Sequence, residues 1–329
     1  MAAVLTVGAV ACGSAAPAKT PTPHPSPTPS GTPTPAATPA APPLAAPYIV
    51  QVENLNDARP QSGLSTADIV YEYETEGGIS RFSAMFFSTP TATIGPVRSA
   101  RLATVKLIGI YNGTLVYSGA SDFVAATLAD SGARAYNETS AQGALFRIGS
   151  RVAPHNLYTD GPHFAPLAQR VGPHTTTYQL WKRTAIQALP PGGTTETVFT
   201  VPVSASERPT YTYDLATGGY QRTESDTGLL VDQDTQKPWE AKNILVLPVA
   251  VTFGPEIENP PNSYGLDFAL IAAGPAQLFV GGQMYPITFN ESGSGPPVLT
   301  MANGQPAPVT DGQVLVELVR TGLTATPGG

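Results

Sequence analysis

The sequence predicts an α/β or α+β N-terminal domain on a mixed sheet, followed by a β-rich C-terminal domain. Two observations support this: strand-like and helical runs follow one another between residues 48 and 188, and helical periodicity is lost over residues 189–325. With 329 residues, of which 41% are hydrophobic, the chain is long enough for two cores. Two shorter segments are expected ahead of these domains, a lipoprotein signal over residues 1–12 and a linker over residues 13–47.

The first segment has the features of a bacterial lipoprotein signal. The apolar run AAVLTVGAVA ends at Cys12, which Gly13 follows, and small residues flank the expected cleavage site. The run is shorter than the ~20 apolar residues that a membrane-spanning helix needs. We therefore expect lipid on Cys12 to hold the protein at the extracytoplasmic face of the cell membrane. Because Cys12 is the only cysteine, internal disulfides and cysteine-rich zinc sites are excluded.

The linker, residues 13–47, consists mainly of Pro, Thr, Ser and Ala and has no aromatic residue. Such a segment buries too little apolar surface to offset its ordering entropy, so we expect a disordered spacer with polyproline II character.

The whole chain has a net charge of −7, which argues against nonspecific nucleic-acid binding. A monomer that binds no nucleic acid is expected.

The first domain begins with the strand YIVQVEN at Tyr48 and a turn-rich loop, and a hairpin follows. Its strands, DIVYEYETE and SRFSAMFF, flank Gly77-Gly78, which suits a tight turn with positive φ. At the strand period of two, three glutamates share one face of the first hairpin strand, namely Glu72, Glu74 and Glu76.

A helix is predicted directly after Gly95-Pro96. In VRSARLATVKLIGIY the apolar residues have helical spacing, which places Arg98 and Arg101 in the first turn. The helix dipole disfavours cations there by roughly 0.3–1 kcal/mol, and a nearby anion would reverse the effect. The hairpin and the helix start together predict a polar site.

The remaining elements of the first domain alternate between strands and helices. The strand GTLVYSGAS leads into the helix DFVAATLADSG, with Ser121 or Asp122 as N-cap, and such a junction is where α/β proteins often bind ligands. Two short strands, the irregular segment RVAPHNLYT and a short helix follow. After Leu189 the chain reads as short strand-like runs separated by Gly, Pro and Asn turns.

Two functional hypotheses and one structural alternative fit these residues. The first is a binding protein that holds an anionic or polar envelope ligand or a partner protein, since arginine binds carboxylate and phosphate bidentately. The second is an envelope hydrolase of glycan or phosphoester bonds, with Glu72 or Glu76 as acid/base and His155 assisting. The alternative is an internal lattice of ion pairs. The ligand-binding candidates are Arg59, Arg81, Arg98, Ser99, Arg101 and Asn156.

No catalytic or cofactor signature decides between the hypotheses. The sequence has no P-loop, no GxGxxG, no HExxH and no GxSxG around Ser99. Carboxylates suit calcium or magnesium, but no calcium-loop motif or carboxylate–histidine cluster occurs, so neither a metal nor a cofactor is expected. The lack of a catalytic signature favours binding over hydrolysis.

Three segments give the chain a family resemblance. NLNDARPQSGLSTADIVYEYETEGGISRF, IGPVRSAR and APHNLYT occur in this order, and together they resemble the YerB-like bacterial lipoproteins, a family of unknown function. The resemblance implies an extracytoplasmic, membrane-tethered protein with two domains, and it implies no activity. The family's motif residues would be Asn54, Arg59, Gln61, Ser62, Glu72, Glu76, Gly77, Gly78, Arg81, Arg98, Ser99, Arg101, His155 and Asn156.

Two positions depart from the family pattern. Ser118 stands where such sequences more often show histidine, and the C-terminal domain lacks a Trp-containing ending.

If the motif segments form one site, six side chains must converge, with a glutamate in salt-bridge contact with an arginine. These side chains are Glu72, Glu76, Arg81, Arg98, Arg101 and His155.

Overall fold

The computed structural model describes residues 4–9, 11–19, 43–258 and 263–328. The predicted spacer falls largely on residues 20–42, which lie outside the described residues, as do residues 1–3 and 10 of the predicted signal. Residues 44 and 45, assigned to the spacer from composition, form a short strand because they pair with Thr175–Thr176. Intrachain contacts separate residues 1–41 from a second unit, residues 42–329.

The region up to residue 188 contains short strands and three α-helices. The strands are β1 (Leu44–Ala45), β2 (Tyr48–Glu53), β3 (Ile69–Glu74), β4 (Ser80–Phe86), β5 (Thr114–Val116), β6 (Arg134–Tyr136), β7 (Phe146–Arg147), β8 (Leu157–Tyr158) and β9 (Thr175–Thr176). The helices are α1 (Leu102–Tyr111), α2 (Asp122–Asp130) and α3 (Gly161–Val171). No helix within the described ranges is long and apolar enough to cross a membrane.

After residue 189 the described chain forms strands without helices, as its short apolar runs and turns predict. These strands are β10 (Thr194–Thr195), β11 (Val198–Thr200), β12 (Thr210–Asp214), β13 (Gly219–Glu224), β14 (Gly228–Leu229), β15 (Glu240–Ala241), β16 (Asn243–Val249), β17 (Val251–Glu258), β18 (Ser263–Phe268), β19 (Ala273–Val280), β20 (Gln283–Asn290), β21 (Val298–Met301), β22 (Val314–Arg320) and β23 (Thr326–Pro327). The predicted fold class is confirmed.

One mixed sheet of eleven strands runs through both parts of the chain. Its order is β10-β20-β19-β16-β22-β3-β4-β2-β5-β6, with β21 paired to β20. The pairs β16/β22, β22/β3, β2/β5 and β5/β6 are parallel. A six-stranded antiparallel sheet with the order β14-β13-β12-β11-β23, and with β15 on β13, forms a second layer. Because β22 pairs with β3, the two predicted domains are joined by continuous backbone hydrogen bonding.

The two faces of the large sheet carry different layers. On the face that we call the helix face, the Tyr73 hydroxyl of β3 lies 2.8 Å from the Thr104 hydroxyl of α1. Residues that alternate with Tyr73 point to the opposite face. There Glu72 contacts Arg222 of β13, which belongs to the six-stranded sheet. This alternation decides which of the predicted site residues can meet.

The predicted hairpin forms with a glycine turn between β3 and β4. Gly77 and Gly78 have φ values of 75° and 77°, in the left-handed region that glycine adopts without strain. The Thr75 N–H donates to the Ile79 carbonyl at 2.7 Å and closes the turn. Because Glu76 lies in this turn, its side chain does not follow the alternation of side chains along β3.

The first helix begins later than its periodicity predicts. α1 starts at Leu102, and Arg101 is its N-cap, with the backbone N–H of Arg101 donating to the Thr104 hydroxyl at 3.1 Å. Arg98 lies in an extended segment whose N–H donates to the Gln51 carbonyl of β2 at 2.8 Å. The prediction that Arg98 lies in the first helical turn is therefore wrong, because pairing with β2 overrides the helical spacing.

Candidate functional site

Five charged side chains and one histidine meet at one end of the helix face. We call them the arginine cluster, which consists of Glu53, Glu76, Arg81, Arg98, Arg101 and His155. Glu53 of β2 lies directly opposite Arg81 of β4 in the antiparallel pair, so the two side chains share a face. The other members come from the hairpin turn, the segment before α1 and the loop around His155. Five of the six predicted side chains therefore converge.

Glu76 holds Arg101 in a bidentate pair. Nε of Arg101 donates to Oε2 of Glu76 at 2.7 Å, and Nη2 donates to the other carboxylate oxygen. Burial raises the pKa of Glu76, but the hydrogen bonds and charge of Arg101 outweigh burial and lower the pKa below its usual value. Glu76 is thus ionised at neutral pH and cannot serve as a general acid there.

Glu53 links Arg98 to His155. Its Oε1 lies 3.0 Å from Nε of Arg98, and its Oε2 lies 2.9 Å from Nδ1 of His155. The contact with Arg98 is an ion pair without hydrogen-bond geometry, since both atoms lack a hydrogen-bond partner among the described residues. The Glu53 side chain is fully buried, whereas 22% of Arg98 and 19% of His155 are exposed. These two residues connect the cluster to the surface.

Arg81 is a buried cation with incomplete hydrogen bonding. It is 2% exposed, and its Nη1 donates to the Ser80 carbonyl at 3.3 Å. Within the described chain its Nε has no hydrogen-bond partner. Burial, followed by repulsion from Arg101 and Arg98, lowers the pKa of Arg81 to about 10, against the attraction of the two glutamates of the cluster. The buried positive charge of Arg81 therefore lowers the stability of the folded state.

Ser99 lies beside the cluster at an edge of the large sheet. Its hydroxyl is 3.4 Å from that of Ser118, which follows β5. β2 and β5 are parallel, so their carboxyl ends meet at this edge, and α1 and α2 begin close to it. Open α/β sheets commonly bind ligands at the carboxyl ends of their strands, and helix N-termini favour anions there. Two serine hydroxyls and two helix N-termini therefore lie near the carboxyl ends of β2 and β5.

Glu72 does not join the arginine cluster, contrary to the predicted convergence. Alternation along β3 places it on the opposite face, where its Oε1 accepts from Nη2 of Arg222 at 2.9 Å and its Oε2 contacts Nη1. Both residues are at most 1% exposed. The sheet separates Glu72 from Glu76 and His155, so these three residues cannot act on the same substrate atom.

Glu72 belongs to a second buried group, the carboxylate cluster. Its members are Arg222, Glu72, Glu207, Glu224 and Glu317. Nε of Arg222 donates to Glu224 at 2.6 Å, and Nη1 lies 3.3 Å from Glu317. Burial, followed by repulsion from Glu72, raises the pKa of Glu317 well above its usual range. Burial and a hydrogen bond with Glu224 raise the pKa of Glu207 to about 9. Two of the four acids are therefore protonated at neutral pH.

Arg59 and Asn54 attach the loop between β2 and β3, residues 54–68, to the carboxylate cluster. We call this loop the motif loop. Arg59 donates to Glu207 from Nη2 and to Asp226 from Nη1, both at 2.8 Å, and to Asn54 from Nε at 3.1 Å. Asn54 donates to Glu72 at 3.0 Å. The loop is thereby tied to the second half of the chain, and Arg59 lies outside the arginine cluster.

Asn156 and Cys12 also lie outside the arginine cluster. Oδ1 of Asn156 accepts from Arg147 at 2.8 Å, and its Nδ2 donates to the Ile148 carbonyl at 3.3 Å. These contacts support the β7–β8 hairpin. Cys12 is exposed.

Five buried members of the two clusters were not predicted from the sequence, namely Glu53, Glu207, Arg222, Glu224 and Glu317. Glu53 ends an apolar strand, and Glu317 interrupts the apolar run VLVELVR. A carboxylate inside an apolar run signals a buried, partnered charge, so both could have been found. Arg222 alternates with polar residues in YQRTES, and its partner Glu72 is 150 positions away, so no local pattern points to it.

Neither cluster has the arrangement of a metal site. In the part of the chain that the structure describes, no group of three or more His, Cys, Asp or Glu side chains could hold a metal ion. The carboxylates of both clusters contact guanidinium groups, which use the oxygens that a cation would need. We assign no metal to either cluster.

Comparison with known proteins gives consistent matches in sequence and structure. Residues 33–174 match the "Protein of unknown function (DUF3048) N-terminal domain", and residues 199–316 match its C-terminal domain. The chain is 34% identical over 210 residues to the Bacillus subtilis (strain 168) protein "Putative lipoprotein YerB", and it spans 61% of that relative's length, with 61% of this chain covered. It resembles the crystal structure of YerB from Bacillus subtilis with a TM-score of 0.67 and 27% identity, over 84% of this chain and 91% of that one.

Proposed function

The chain belongs to the YerB-like family, and on this premise we propose that it is a lipid-anchored, extracytoplasmic protein whose arginine cluster binds an anionic group of a cell-envelope ligand. The lipid would be attached to Cys12, which is exposed. The anionic group would be a phosphate or a carboxylate, because arginine forks match both. An envelope protein that presents such a group is an equivalent partner.

The state of Arg81 is the observation that carries this proposal. Its guanidinium is buried, its Nε is unpartnered among the described residues, and its pKa is lowered to about 10 by burial and by the other arginines. A buried charge that the fold does not fully compensate is costly. An anion at the cluster would supply both the missing acceptor and the missing negative charge.

The charge balance and the position of the cluster support the same conclusion. Within the arginine cluster, the three guanidinium groups of Arg81, Arg98 and Arg101 face the two carboxylates of Glu53 and Glu76. The partial exposure of Arg98 gives a ligand access from the surface. The nearby helix N-termini favour a negative charge.

A purely structural lattice explains the cluster less well. The bidentate pair of Glu76 and Arg101 fits a lattice. Arg81 does not, because a lattice would use its Nε. The hydrolase hypothesis lacks a general acid, because Glu76 is ionised and Glu72 lies on the opposite face of the large sheet. Binding is therefore the function that the geometry supports best.

Loss of the Arg98 charge should weaken anion binding. The full-length chain in detergent would be titrated with inorganic phosphate, pyrophosphate and acetate by isothermal calorimetry, with thermal shift as a second readout. Arg98→Gln removes a charged donor, which costs at least about tenfold in affinity. Because Arg98 is partly exposed, the variant should fold normally.

The matched control is Arg147→Gln, which removes a surface arginine paired with Glu138 outside the cluster. This variant should bind anions as the wild type does. Absence of saturable binding to all three anions, or equal affinity of the two variants, would show that the cluster is not an anion site.

The lipid anchor is tested separately with Cys12→Ala. This variant should move from the membrane fraction to the soluble or secreted fraction, because it lacks the thiol that receives the lipid. Ser14→Ala, two positions away, serves as the control and should stay in the membrane fraction. Two results together would contradict the anchor proposal: Cys12→Ala stays in the membrane fraction, and mass spectrometry finds no lipid on the wild-type Cys12.

A further inference from the structure

A cleft lined by residues outside the arginine cluster opens beside the motif loop. Its volume is about 460 Å³, within the range of small-molecule sites. Four segments line it: residues 54–57 and 59 of the motif loop, Ile79 of the hairpin turn, Ser206 and Glu207, and Ser225 and Asp226. The cleft therefore lies where the first and second halves of the chain meet.

The only guanidinium among the residues lining the cleft is already engaged. Arg59 donates to Asp226 and Glu207 at 2.8 Å and to Asn54 at 3.1 Å, and its side chain is 3% exposed. Its charge is matched by Asp226 at 2.8 Å. Unlike the arginine cluster, this cleft offers no uncompensated cation to a ligand.

Acceptor oxygens dominate the exposed polar surface of the cleft. The side chain of Asp57 is 77% exposed and that of Asp226 is 34% exposed. Ionised carboxylates accept hydrogen bonds and cannot donate them. With Asp226 paired to Arg59, the exposed carboxylate of Asp57 supplies the remaining negative charge, so the cleft favours ligands that donate hydrogen bonds and disfavours anions.

The cleft also provides neutral polar groups and a small apolar surface. Ser206 and Ser225 are exposed, and Leu55 and Ile79 are partly exposed on its walls. Glu207 adds a carboxyl group that stays protonated at neutral pH, because burial and Glu224 raise its pKa to about 9. Hydroxyls and amines at the edge of a sugar ring match the polar groups, and its C–H face matches the apolar ones.

We infer that this cleft binds a sugar ring that donates hydrogen bonds through hydroxyl or amino groups and carries no negative charge where it contacts the cleft. The inference differs from the anion proposal in its electrostatic preference, although Asp57 of the cleft lies 3.9 Å from Nε2 of His155 in the arginine cluster. A neutral N-acetylated sugar and a cationic amino sugar share the required chemistry.

The experiment titrates the full-length chain in detergent with three soluble tetrasaccharides, built from N-acetylglucosamine, glucosamine and galacturonic acid. The first two should bind and the anionic one should not. Ser225→Trp fills the cleft from an exposed position and should lower the affinity for both by at least about tenfold. Asp57→Asn should weaken glucosamine binding more than N-acetylglucosamine binding, since it removes an exposed negative charge.

Two controls establish whether the loss of sugar binding is specific to the cleft. Asp130→Asn removes an exposed carboxylate at the end of α2 and should leave sugar binding unchanged. Ser225→Trp should also leave the affinity for inorganic phosphate unchanged, so that loss of sugar binding is distinguished from loss of the anion site. Ser206→Trp is a second variant that fills the cleft, in case Ser225→Trp folds poorly. Tighter binding of the galacturonic acid tetramer, no binding of either other sugar, or wild-type affinity in both folded tryptophan variants would overturn the inference.

Discussion

Replacement of Arg222 by methionine should lower the free energy of unfolding by about 3–5 kcal/mol, the cost of leaving buried charges without their partner. Arg222 is 1% exposed and contacts Glu72, Glu224 and Glu317. Without it, Glu72 loses its guanidinium partner in a buried environment, and Glu224 keeps, among the described residues, only Arg59, whose Nη2 lies 3.6 Å away. Urea unfolding followed by tryptophan fluorescence at neutral pH measures the change.

Arg147→Met is the matched control for this measurement. Its partner Glu138 is exposed, so loss of the pair should cost less than about 1 kcal/mol. The deficit of Arg222→Met should shrink at about pH 4, where protonation removes the unpaired negative charges. A deficit below about 1 kcal/mol at neutral pH would show that the carboxylate cluster does not join the two halves of the chain.

Arg81→Met should have the opposite effect on stability and raise the free energy of unfolding by roughly 1–3 kcal/mol. Burial and the neighbouring arginines lower the pKa of Arg81 from its ordinary value to about 10 in the folded state, so the folded chain binds this proton less tightly than the unfolded chain does. The resulting cost is fully present below about pH 10 and is relieved as the pH rises above that value. Methionine removes the charge and keeps an apolar chain of similar length.

The same variant should lose anion binding, because the uncompensated charge of the arginine cluster is gone. Arg81→Lys is the paired control, since it keeps the charge without the guanidinium fork and should retain weaker binding. If Arg81 belongs to an anion site, Arg81→Met raises the free energy of unfolding and lowers the affinity for anions. If Arg81 belongs to a structural lattice, both quantities fall. If Arg81→Met is destabilised by more than about 1 kcal/mol, Arg81 is a structural residue.

Features that depend on neighbouring residues in the sequence were predictable. The glycine turn between β3 and β4 follows from Gly77 and Gly78, and the strand-rich second half follows from its short apolar runs and turns. The contact between Glu76 and an arginine was also expected, and the structure assigns it to Arg101.

Features that depend on distant partners were not predictable. Glu72, Glu74 and Glu76 looked equivalent by spacing, but they contact Arg222, Arg320 and Arg101 respectively. Two of these arginines lie in the second half of the chain, which no local period relates to β3. Pairing with β2 likewise cannot be read from the helical spacing around Arg98.

The position of β22 determines the order in which the sheet can be completed. Val314–Arg320 supplies a central strand between β16 and β3, although it follows β3 by more than two hundred positions in the printed sequence. Until that strand arrives, one edge of β3 stays open, and an unpaired strand edge invites wrong pairing. Closure over so long a separation is slow, because the loop entropy is lost before the contacts form. A strand that is synthesised late is thus the one that makes both halves a single cooperative unit.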